Sequence, residues 1–503
     1  MNILLVYPEF PDTFWSFRHA LSFVKKKAVN PPLGLLTVAA LLPADWKIRL
    51  YDLNVETLPQ KELSQADYVF ISAMIVQRDS AQTLLSRCKE AAVKVVAGGP
   101  LFTIEHEMFT DVDHFILNEA ELTLPPFLQD LANGCAQRVY RTSEYPDIRQ
   151  TPAPLWELAN LKQYNSVSIQ FSRGCPFNCD FCNVTSLLGH TPRTKSTTQI
   201  INELDGIYSL GWRGSIFFVD DNFICNKRQL KEDLLPALIA WRKGKTGMPF
   251  NTEVSINLAD DLELVQLMSE AGFVSIFVGI ETPSEDSLAE CKKFQNRGRD
   301  MVESVKLLQS AGLQVQGGFI VGFDSDKPSI FQQQIDFIQR SGIVTAMVGM
   351  LQAPPGTSLY HRMEKEDRLL NKFSGDNVDG STNIIPKMGQ EPLLKGYRVV
   401  LDQIYSPKLY YERVRTFLRQ YRPPRIKYHL EPQYILALGR SIFQLGIRGI
   451  ERTHYWKLFF WSLFRRPRLF PLAITLSIYG YHFRRVASLH VAKPIIGEQR
   501  AQN

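Results

Sequence analysis

The sequence contains no apolar run of about 18 residues, the length that a helix needs to cross a bilayer. Its seven cysteines are an odd number, and the four outside one short loop are scattered, so no disulfide framework is indicated. Residues 1–8 turn apolar without a basic lead or a cleavage site, which favours a first strand over a signal peptide. These absences predict a globular, cytoplasmic protein in a reducing compartment.

The sequence also has little excess of positive over negative charge. A net charge of +6 over 503 residues is too small to indicate a nucleic-acid partner by itself, and we predict none. The hydrophobic content of 45% is sufficient for two or three domains, each with its own core.

What the sequence does contain is a cysteine-rich loop at residues 172–183, SRGCPFNCDFCN. Cys175, Cys179 and Cys182 are separated by three and then two residues in a Gly/Pro/Asn-rich turn, so their thiols can converge on one centre. We predict a four-iron cluster, since three thiolates leave one iron free to bind a small chelating substrate. The alternative is a structural zinc site, for which His190 is the nearest candidate fourth ligand.

The loop resembles the signature of the radical S-adenosylmethionine (SAM) enzymes, and its surroundings resemble their cobalamin-binding branch. The resemblance implies a [4Fe-4S] cluster held by the three cysteines, with SAM chelated at the open iron. It also implies reductive cleavage of SAM to methionine and a 5′-deoxyadenosyl radical, and therefore a reducing electron donor such as ferredoxin or flavodoxin.

The amino-terminal part alternates short apolar runs with helical patterns. The runs lie at residues 2–7, 47–53, 68–73, 94–97 and 114–117. Helical patterns such as 33–42 and 80–92 lie between them. This rhythm predicts an α/β domain with a doubly wound parallel sheet over residues 1–145, whose ligands would sit beyond the carboxyl ends of the strands. There is no GxGxxG motif, so a dinucleotide is not favoured.

This domain resembles the cobalamin-binding domain that precedes the radical SAM core in the same branch. The matching stretches are residues 30–36, NPPLGLL, and the turn Gly98-Gly99-Pro100. The resemblance implies that cobalamin binds here, with Gly98 and Gly99 close to it.

Two departures from that branch affect the prediction. The D-x-H-x-x-G motif that supplies a histidine to cobalt in other cobalamin proteins is absent, so we expect no such ligand and interpret His19 and His106 as ordinary surface or core histidines. Residues 118–121, NEAE, stand where relatives often carry GEGE, and losing two glycines restricts close approach of the backbone to a ligand. A degenerate, purely structural domain is the alternative.

A second α/β region follows a polar, proline-bearing stretch at residues 136–164, and we place the linker at 146–165. Strand patterns lie at residues 166–171, 215–219, 251–256, 274–279, 314–321 and 345–351. Six βα units predict a partial parallel (β/α)6 barrel over residues 166–360, with its active site at the carboxyl ends of the strands.

Polar residues and glycines follow those strand ends and resemble the stations that contact SAM in the family. The residues carried over are Phe181, Asp221, Asn222, Gly279, Glu281, Gly317, Gly318 and Gly322. The resemblance implies that Phe181 stacks near the adenine and that Gly279 and Glu281 lie near the methionine and ribose. The other three glycines would let the backbone approach the nucleoside.

Each of these positions also has a structural interpretation. Asp221 and Asn222 can cap the following helix, and Glu281, before Thr282-Pro283, can be a turn residue. Arg193 and Lys195 can anchor the carboxylate of SAM or belong to a solvated basic loop.

The βα rhythm stops near residue 365, and residues 361–503 are predicted to be mainly helical. Residues 454–486 mix aromatic side chains with arginines, a composition that suits a peripheral membrane contact. Stacking on nucleic acid and plain helix packing are the alternatives. Together with residues 214–223, GSIFFVDDNF, this tail resembles the subfamily that includes the hopanoid C-2 methylases.

These resemblances predict a cobalamin-dependent radical SAM enzyme, with C-methylation of an unactivated carbon as its reaction. Its substrate would be a small molecule, and the subfamily favours a lipid such as a hopanoid, with tetrapyrroles or another lipid next. The alternatives are a radical rearrangement or cross-linking without methyl transfer, and a non-catalytic cobalamin sensor. Intact cysteines at three positions argue against the sensor, because sensing needs no open iron.

Overall fold

The computed structural model describes residues 1–370, 373–424 and 432–491. The strands are β1 Asn2–Tyr7, β2 Lys47–Asp52, β3 Tyr68–Ser72, β4 Lys94–Gly98, β5 His114–Ile116, β6 Val139–Tyr140, β7 Ser166–Ile169, β8 Ser172–Arg173, β9 Arg193–Thr194, β10 Ser215–Phe218, β11 Phe250–Val254, β12 Phe273–Glu281, β13 Gln314–Val321 and β14 Ala346–Met350. These strands form two six-stranded sheets and one short hairpin, β8–β9.

The helices alternate with the strands as far as β14 and then continue alone. They are α1 Arg18–Val24, α2 Leu33–Leu41, α3 Gln60–Gln65, α4 Arg78–Glu90, α5 Pro100–Glu105, α6 Ala120–Ala132, α7 Val184–Leu188, α8 Thr197–Ser209, α9 Lys227–Gln229, α10 Leu235–Arg242, α11 Leu262–Ala271, α12 Glu285–Glu290, α13 Met301–Ser310, α14 Ile330–Ser341, α15 Ser358–Lys365, α16 Gln390–Ile404, α17 Pro407–Gln420, α18 Pro432–Ser441, α19 Arg452–Arg465 and α20 Phe470–Val491. A π-helical segment, Ile442–Arg448, follows α18.

The first sheet is parallel throughout, in the order β2-β1-β3-β4-β5-β6. Successive residues of β1 enter two different cores: Leu4 and Val6 belong to one, Ile3 and Leu5 to the other. Both faces are therefore covered by helices, which confirms the predicted doubly wound sheet. The sequence did not predict β6, because a two-residue strand has no periodic signal.

The second sheet is also parallel, and its order β14-β13-β12-β11-β10-β7 follows the chain backwards, with only the hairpin strands β8 and β9 left out. Each βα unit thus adds its strand beside the previous one, as in the predicted partial (β/α)6 barrel. The hairpin β8–β9 flanks the cysteine loop at the carboxyl end of β7.

The helices after β14 pack onto this barrel and confirm a mainly helical carboxyl-terminal region. Tyr397, Tyr410 and Phe483 are buried in the same core as the barrel strands. The loop after β1 reaches the same helices, since the rings of Phe14 and Phe483 stack 4.3 Å apart. Within the described ranges, none of the helices combines the length and the apolarity needed to cross a bilayer.

Candidate active site

The cysteine loop is held in place by a buried carboxylate. Asp220, directly after β10, accepts hydrogen bonds from the amides of Phe171 and Ser172 and from the Ser172 hydroxyl, whose oxygen lies 2.5 Å away. Burial raises the pKa of Asp220 to about 7, although these hydrogen bonds lower it. Asp220 therefore fixes the point where the chain leaves β7 and enters the loop.

The loop closes on itself through Gly174. This residue has a left-handed φ of +90°, and a Cβ there would lie within 2.9 to 3.1 Å of three backbone carbonyl oxygens of residues 188–191. The amide of Cys175 donates to the carbonyl of Gly189 at 3.2 Å. Only glycine fits this position without strain, so the sequence Arg-Gly-Cys reflects the local geometry.

The geometry of the three predicted ligands, Cys175, Cys179 and Cys182, suits a cluster better than a single ion. In the part of the chain that the structure describes, the three cysteine sulfurs do not all lie within 4.8 Å of one another. Sulfurs around one zinc ion are about 3.8 Å apart, given Zn–S bonds of about 2.3 Å and tetrahedral geometry. His190, the candidate fourth zinc ligand, is exposed.

The thiols differ in their electrostatic surroundings. A hydrogen bond from the Cys225 thiol lowers the pKa of Cys175 to about 7, whereas burial raises the pKa of Cys179, and that of Cys182 to about 12. Iron binds thiolates, so loading this site releases protons. Cys225, which the sequence analysis treated as scattered, lies beside the triad.

An ion pair lies next to the triad at the carboxyl end of β12. Lys293 Nζ lies 2.8 Å from Glu281 Oε1, and the two side chains are 13% and 8% exposed. Burial would lower the pKa of Lys293, but Glu281 and Cys179 raise it overall. Gly279 leaves room for this pair, since a Cβ at that position would approach Lys293 Nζ to 2.9 Å. Glu281 therefore forms an ion pair beside the cysteines and is not only a turn residue, which was its structural interpretation.

Asn222 connects two strand ends. Its side-chain oxygen accepts from the amide of Ser255 at 3.1 Å, and its nitrogen donates to the Ser255 hydroxyl at 3.2 Å. Asn222 makes no side-chain cap to the following helix, so the capping alternative is wrong for this residue. Its contact with SAM stays a prediction.

Two acids, Asp221 directly after β10 and Glu253 in β11, interact electrostatically. Burial raises the pKa of Asp221 to about 6. Burial first, and then the charges of Asp221 and Asp220, raise the pKa of Glu253 to about 8. Glu253 thus keeps its proton near neutral pH, where a cationic ligand or a proton transfer would change its charge.

We expect Glu253→Gln to flatten the pH dependence of stability. Between pH 4.5 and about 8 the unfolded chain has lost the proton that folded Glu253 keeps, so wild-type stability falls as pH rises through this window. The half-buried site suggests a difference on the order of 2 kcal/mol between pH 5 and pH 8. Thermal unfolding of the chain free of SAM and cobalamin, measured across this range, checks it. Glu303→Gln, at an exposed position, is the control, and equal pH slopes in wild type and Glu253→Gln would contradict the prediction.

The remaining carried-over residues lie in the cysteine loop (Phe181), within β13 (Gly317 and Gly318) and directly after it (Gly322). Phe181 packs at the edge of a small apolar cluster, with its ring 6.4 Å from that of Phe323. Side chains already occupy the space beside the glycines: a Cβ would meet Phe319 at Gly317, Phe277 at Gly318 and Leu393 at Gly322, each within 2.9 Å. Packing thus accounts for these glycines, and their approach to a nucleoside stays a prediction.

Gly98 and Gly99 end β4 at the carboxyl edge of the first sheet. A Cβ at Gly98 would lie 2.7 Å from the carbonyl oxygen of Ile116, and Gly99 has a φ of +85° beside Ser72. Both glycines are therefore required by the turn itself. Their proximity to cobalamin is not tested by this packing.

Arg193 and Lys195 do not form a solvated basic loop, and that interpretation is wrong. Lys195 pairs with Glu203, and both side chains are buried. Arg193 contacts Glu119 through two bonds of 2.8 and 3.0 Å. Because both cations already have glutamate partners inside the protein, the structure gives no support to their anchoring SAM.

Glu119 belongs to a buried network that joins the first sheet to the cysteine loop. It also accepts from Arg173, two residues before Cys175, at 2.6 Å. Arg173 pairs with Glu121 at 2.8 Å as well. Burial would raise the pKa of Glu121, but Arg173 holds it below its usual range. The NEAE stretch, interpreted as a departure, thus ties the end of the first sheet to the segments that flank the cysteine loop.

The sequence placed Asp220 at a strand end without a role of its own, and it did not predict Lys293 or the Arg173–Glu119 contact. Asp220 had a local signal, since it follows a strand, but Lys293 lies in a short segment after α12 that carries no motif. Their roles depend on contacts between parts of the chain that are 12 to 54 residues apart.

Three family models match successive parts of the chain. The B12 binding domain matches residues 23–128, the Radical SAM superfamily matches residues 169–338, and a domain of unknown function, DUF4070, matches residues 357–494. The first two matches cover most of the first and of the second sheet, respectively.

Curated relatives match nearly the whole length. An uncharacterized methyltransferase of Synechocystis sp. is 40% identical over 507 residues, covering 99% of this chain and 94% of the relative. The hopanoid C-2 methylase of Rhodopseudomonas palustris is 32% identical over 471 residues, covering 91% and 88%. The bacteriochlorophyllide d C-12(1)-methyltransferase of Chlorobaculum tepidum is 26% identical over 398 residues, covering 76% and 84%.

Solved structures share the arrangement of the two sheets. The cobalamin-dependent radical SAM enzyme OxsB, with aqua-cobalamin and SAM bound, has a TM-score of 0.62 at 14% identity and covers 97% of this chain and 79% of its own. TsrM from Kitasatospora setae, with cobalamin and a [4Fe-4S] cluster bound, has a TM-score of 0.56 at 13% identity and covers 73% and 78%. At these identities the likeness concerns the fold.

Proposed function

The chain belongs to the cobalamin-binding radical SAM enzymes and is a methyltransferase of that family, and we propose that it methylates an unactivated carbon of a hopanoid or a similarly apolar lipid. In this proposal residues 1–145 hold cobalamin, 166–360 hold the cluster and SAM, and 361–503 approach the membrane, with 146–165 as linker. The cofactors are the [4Fe-4S] cluster, SAM and cobalamin, and together they supply radical formation and methyl transfer.

The residues present fit the cluster and SAM. The three thiols are spread more widely than the ligands of a single ion, at the carboxyl ends of the barrel strands. Asp220 fixes the start of their loop, and the ammonium of Lys293 offsets the negative charge that three thiolates bring. Asp221 and Glu253 provide carboxyl groups beside them for the cationic part of SAM.

The carboxyl edge of the first sheet fits a large cofactor with an apolar face. Trp15 and Met74, in the loops after β1 and β3, are 37% and 45% exposed. Trp15 also reaches the second sheet, where its ring lies 5.4 Å from Phe277 and its Nε1 donates to the sulfur of Met347. A cofactor covering these side chains would lie between the two sheets, as the proposed transfer requires.

An exposed aromatic surface supports an apolar, membrane-borne substrate. We call it the α18–α19 surface, and its exposed apolar residues are Tyr434, Ile435, Leu436, Phe443, Ile447, Ile450, Phe460, Leu463 and Phe464. Arg448, Arg452, Lys457, Arg465 and Arg468 are exposed among them, and Glu451, the only acid between residues 432 and 470, is buried. Apolar side chains with interspersed cations are typical of helices that lie in a lipid headgroup layer.

This surface differs from the one that the sequence predicted at residues 454–486. The second half of that range lies in α20, where Ala473, Leu476, Phe483 and Val486 are buried in the core. Composition alone could not separate the two halves, because buried and lipid-facing helices both carry aromatic residues. The exposed apolar side chains instead extend upstream to residue 434.

Lipid analysis of cells with and without this chain tests the proposed substrate. Hopanoids heavier by one CH2 unit, about 14 Da, should appear only with the active chain, and they should carry the label when the cells receive methyl-labelled methionine. Methylated tetrapyrroles with unchanged hopanoids would contradict the lipid and favour the other substrate class. Unchanged pools of both would contradict the proposal.

We expect Phe460→Ser/Phe464→Ser to weaken binding to anionic vesicles. The rings of Phe460 and Phe464 stack at 6.4 Å on one face of α19 and are 51% and 76% exposed. Losing two rings should lower the vesicle partition coefficient by about 100-fold or more, since burying one aromatic side chain contributes roughly 1.5 to 3 kcal/mol and each 1.4 kcal/mol is about tenfold. Co-sedimentation of the full chain with anionic and neutral vesicles measures it.

Leu210→Ser/Leu262→Ser is the matched control, because these two exposed apolar residues lie outside the α18–α19 surface. High salt should also weaken wild-type binding, since the cations act through screened attraction. Equal sedimentation of the two double variants, or no wild-type binding to anionic vesicles, would show that this surface does not contact lipid.

A further inference from the structure

Two histidines and an aspartate meet where the loop after β1 contacts the last helix. Asp12, His19 and His482 each offer one ligand atom, and these atoms lie within 4.8 Å of one another. Asp12 precedes a short 3-10 helix, Phe14–Ser16, His19 lies in the first turn of α1, and His482 belongs to α20. The fold thus gathers three metal-binding side chain types from segments more than 460 residues apart.

His482 presents one free ring nitrogen. The residue is fully buried, and its Nε2 lies 2.9 Å from the carbonyl oxygen of Phe14, to which it can only donate. Its Nδ1 is buried without a hydrogen-bond partner. Burial lowers the pKa of His482 to about 4, so the ring is neutral. A neutral imidazole whose N–H is held by a backbone carbonyl is the usual form of a metal-ligating histidine.

The contact between His19 and Asp12 is close but is not a hydrogen bond. Nε2 of His19 lies 2.7 Å from Oδ2 of Asp12, yet this nitrogen has no partner with hydrogen-bond geometry. The other carboxylate oxygen, Oδ1, accepts from the Ser16 hydroxyl at 3.2 Å. His19 Nε2 is thus free of hydrogen bonds beside a carboxylate oxygen, and the two atoms would move apart to about 3.3 Å on binding one tetrahedral zinc ion.

We propose that Asp12, His19 and His482 bind one divalent transition-metal ion, most readily Zn²⁺, with water in the remaining position. Two imidazoles and a carboxylate without sulfur suit zinc and its neighbours in the first row. The side chains of His19 and Asp12 are 26% and 22% exposed, which gives the ion a route from solvent. This site is separate from the cysteine triad and does not depend on the proposed substrate.

The ion would fasten the loop after β1 to α20. Phe17 in this loop has a left-handed φ of 46° and stacks on His482 at 5.3 Å. The same loop carries Trp15, which contacts Phe277 of the second sheet. A metal at this position would therefore be structural, holding Trp15 between the two sheets.

Equilibrium dialysis of the cluster-loaded full chain against Zn²⁺ tests the site, with bound zinc and iron counted per chain. We expect one zinc beyond the iron of the cluster, and about 100-fold weaker zinc binding in His19→Gln and in Asp12→Asn with the iron content unchanged. X-ray absorption at the zinc edge should show nitrogen and oxygen neighbours near 2.0 to 2.1 Å and no sulfur. His19 and Asp12 are partly exposed, so their variants should fold even if His482→Asn does not.

His361→Gln is the matched control, because His361 also lies beside a carboxylate, that of Glu364 at 3.7 Å, but belongs to no such three-residue group. It should leave zinc binding unchanged. Sulfur neighbours at the zinc, no bound zinc in the wild type, or equal zinc binding in His19→Gln would each overturn the proposal, leaving a water-bridged or directly packed histidine pair.

Discussion

Cys179→Ala is expected to lose the iron–sulfur cluster and, with it, the cleavage of SAM. A cluster held by three thiolates loses a third of its protein ligands in this variant. The two neighbouring thiols are already engaged, since Cys225 lies beside Cys175, and Cys291, near Cys179, is buried with its thiol donating to the carbonyl of Leu288 at 3.7 Å. We expect iron content to fall to background after anaerobic reconstitution and the rate of 5′-deoxyadenosine formation to fall by at least about 1000-fold. Iron analysis, electron paramagnetic resonance with and without SAM, and product quantification measure this.

Two further cysteines make this test specific. Cys135→Ala removes an exposed thiol far from the loop in sequence and should keep both the cluster and the activity. Cys225→Ala removes the hydrogen bond to Cys175 and should keep the cluster, since the resemblance assigns three ligands. If Cys179→Ala retained its iron while Cys225→Ala lost it, the ligand assignment would be wrong.

The two sheets were predictable because their signals are local. Strand β13, Gln314–Val321, coincides with its predicted range, since a buried parallel strand appears as an apolar run between turn residues. The cysteine loop was predictable for the same reason, because its spacing and its glycine lie within a dozen residues. Element order then determines a doubly wound sheet and a barrel.

The parts that could not be predicted depend on contacts distant in the sequence. Nothing near His19 or His482 indicates that the two rings lie 5.6 Å apart. The exposure of α19 and the burial of α20 likewise follow from which face the barrel covers, since both helices carry aromatic and basic residues. Contacts between such distant segments can be identified only in the folded structure.

The network around Glu119 gives the largest expected effect on stability. Glu119 is 6% exposed and pairs with Arg173 and Arg193, whose side chains are 12% and 17% exposed. Glu119→Gln keeps the shape of the side chain but removes the negative charge that both guanidinium groups face in the interior. Glu121 remains as a counter-charge for Arg173 but not for Arg193. Removing one partner of a buried ion pair costs about 3 to 5 kcal/mol.

Hydrogen exchange of the anaerobic full chain measures this cost where it arises. In Glu119→Gln, peptides covering residues 118–124 and 172–194 should open more easily by about 3 kcal/mol or more, while the strands of the second sheet keep their protection. The control is Glu232→Gln, which breaks an exposed pair with Arg228 and should change the opening energy by less than about 0.5 kcal/mol.

A coupling measurement separates the ion pair from other effects of the substitution. Glu119→Gln, Arg193→Gln and the double variant form a cycle, and a direct pair should give a coupling energy of about 1 to 3 kcal/mol. Because Arg173 lies two residues before Cys175, Glu119→Gln should also weaken cluster retention, whereas Glu232→Gln should not. If Glu119→Gln opened the loop no more than Glu232→Gln does, the contact between the two sheets would have to rest on apolar packing, and the cysteine loop would be independent of the first sheet.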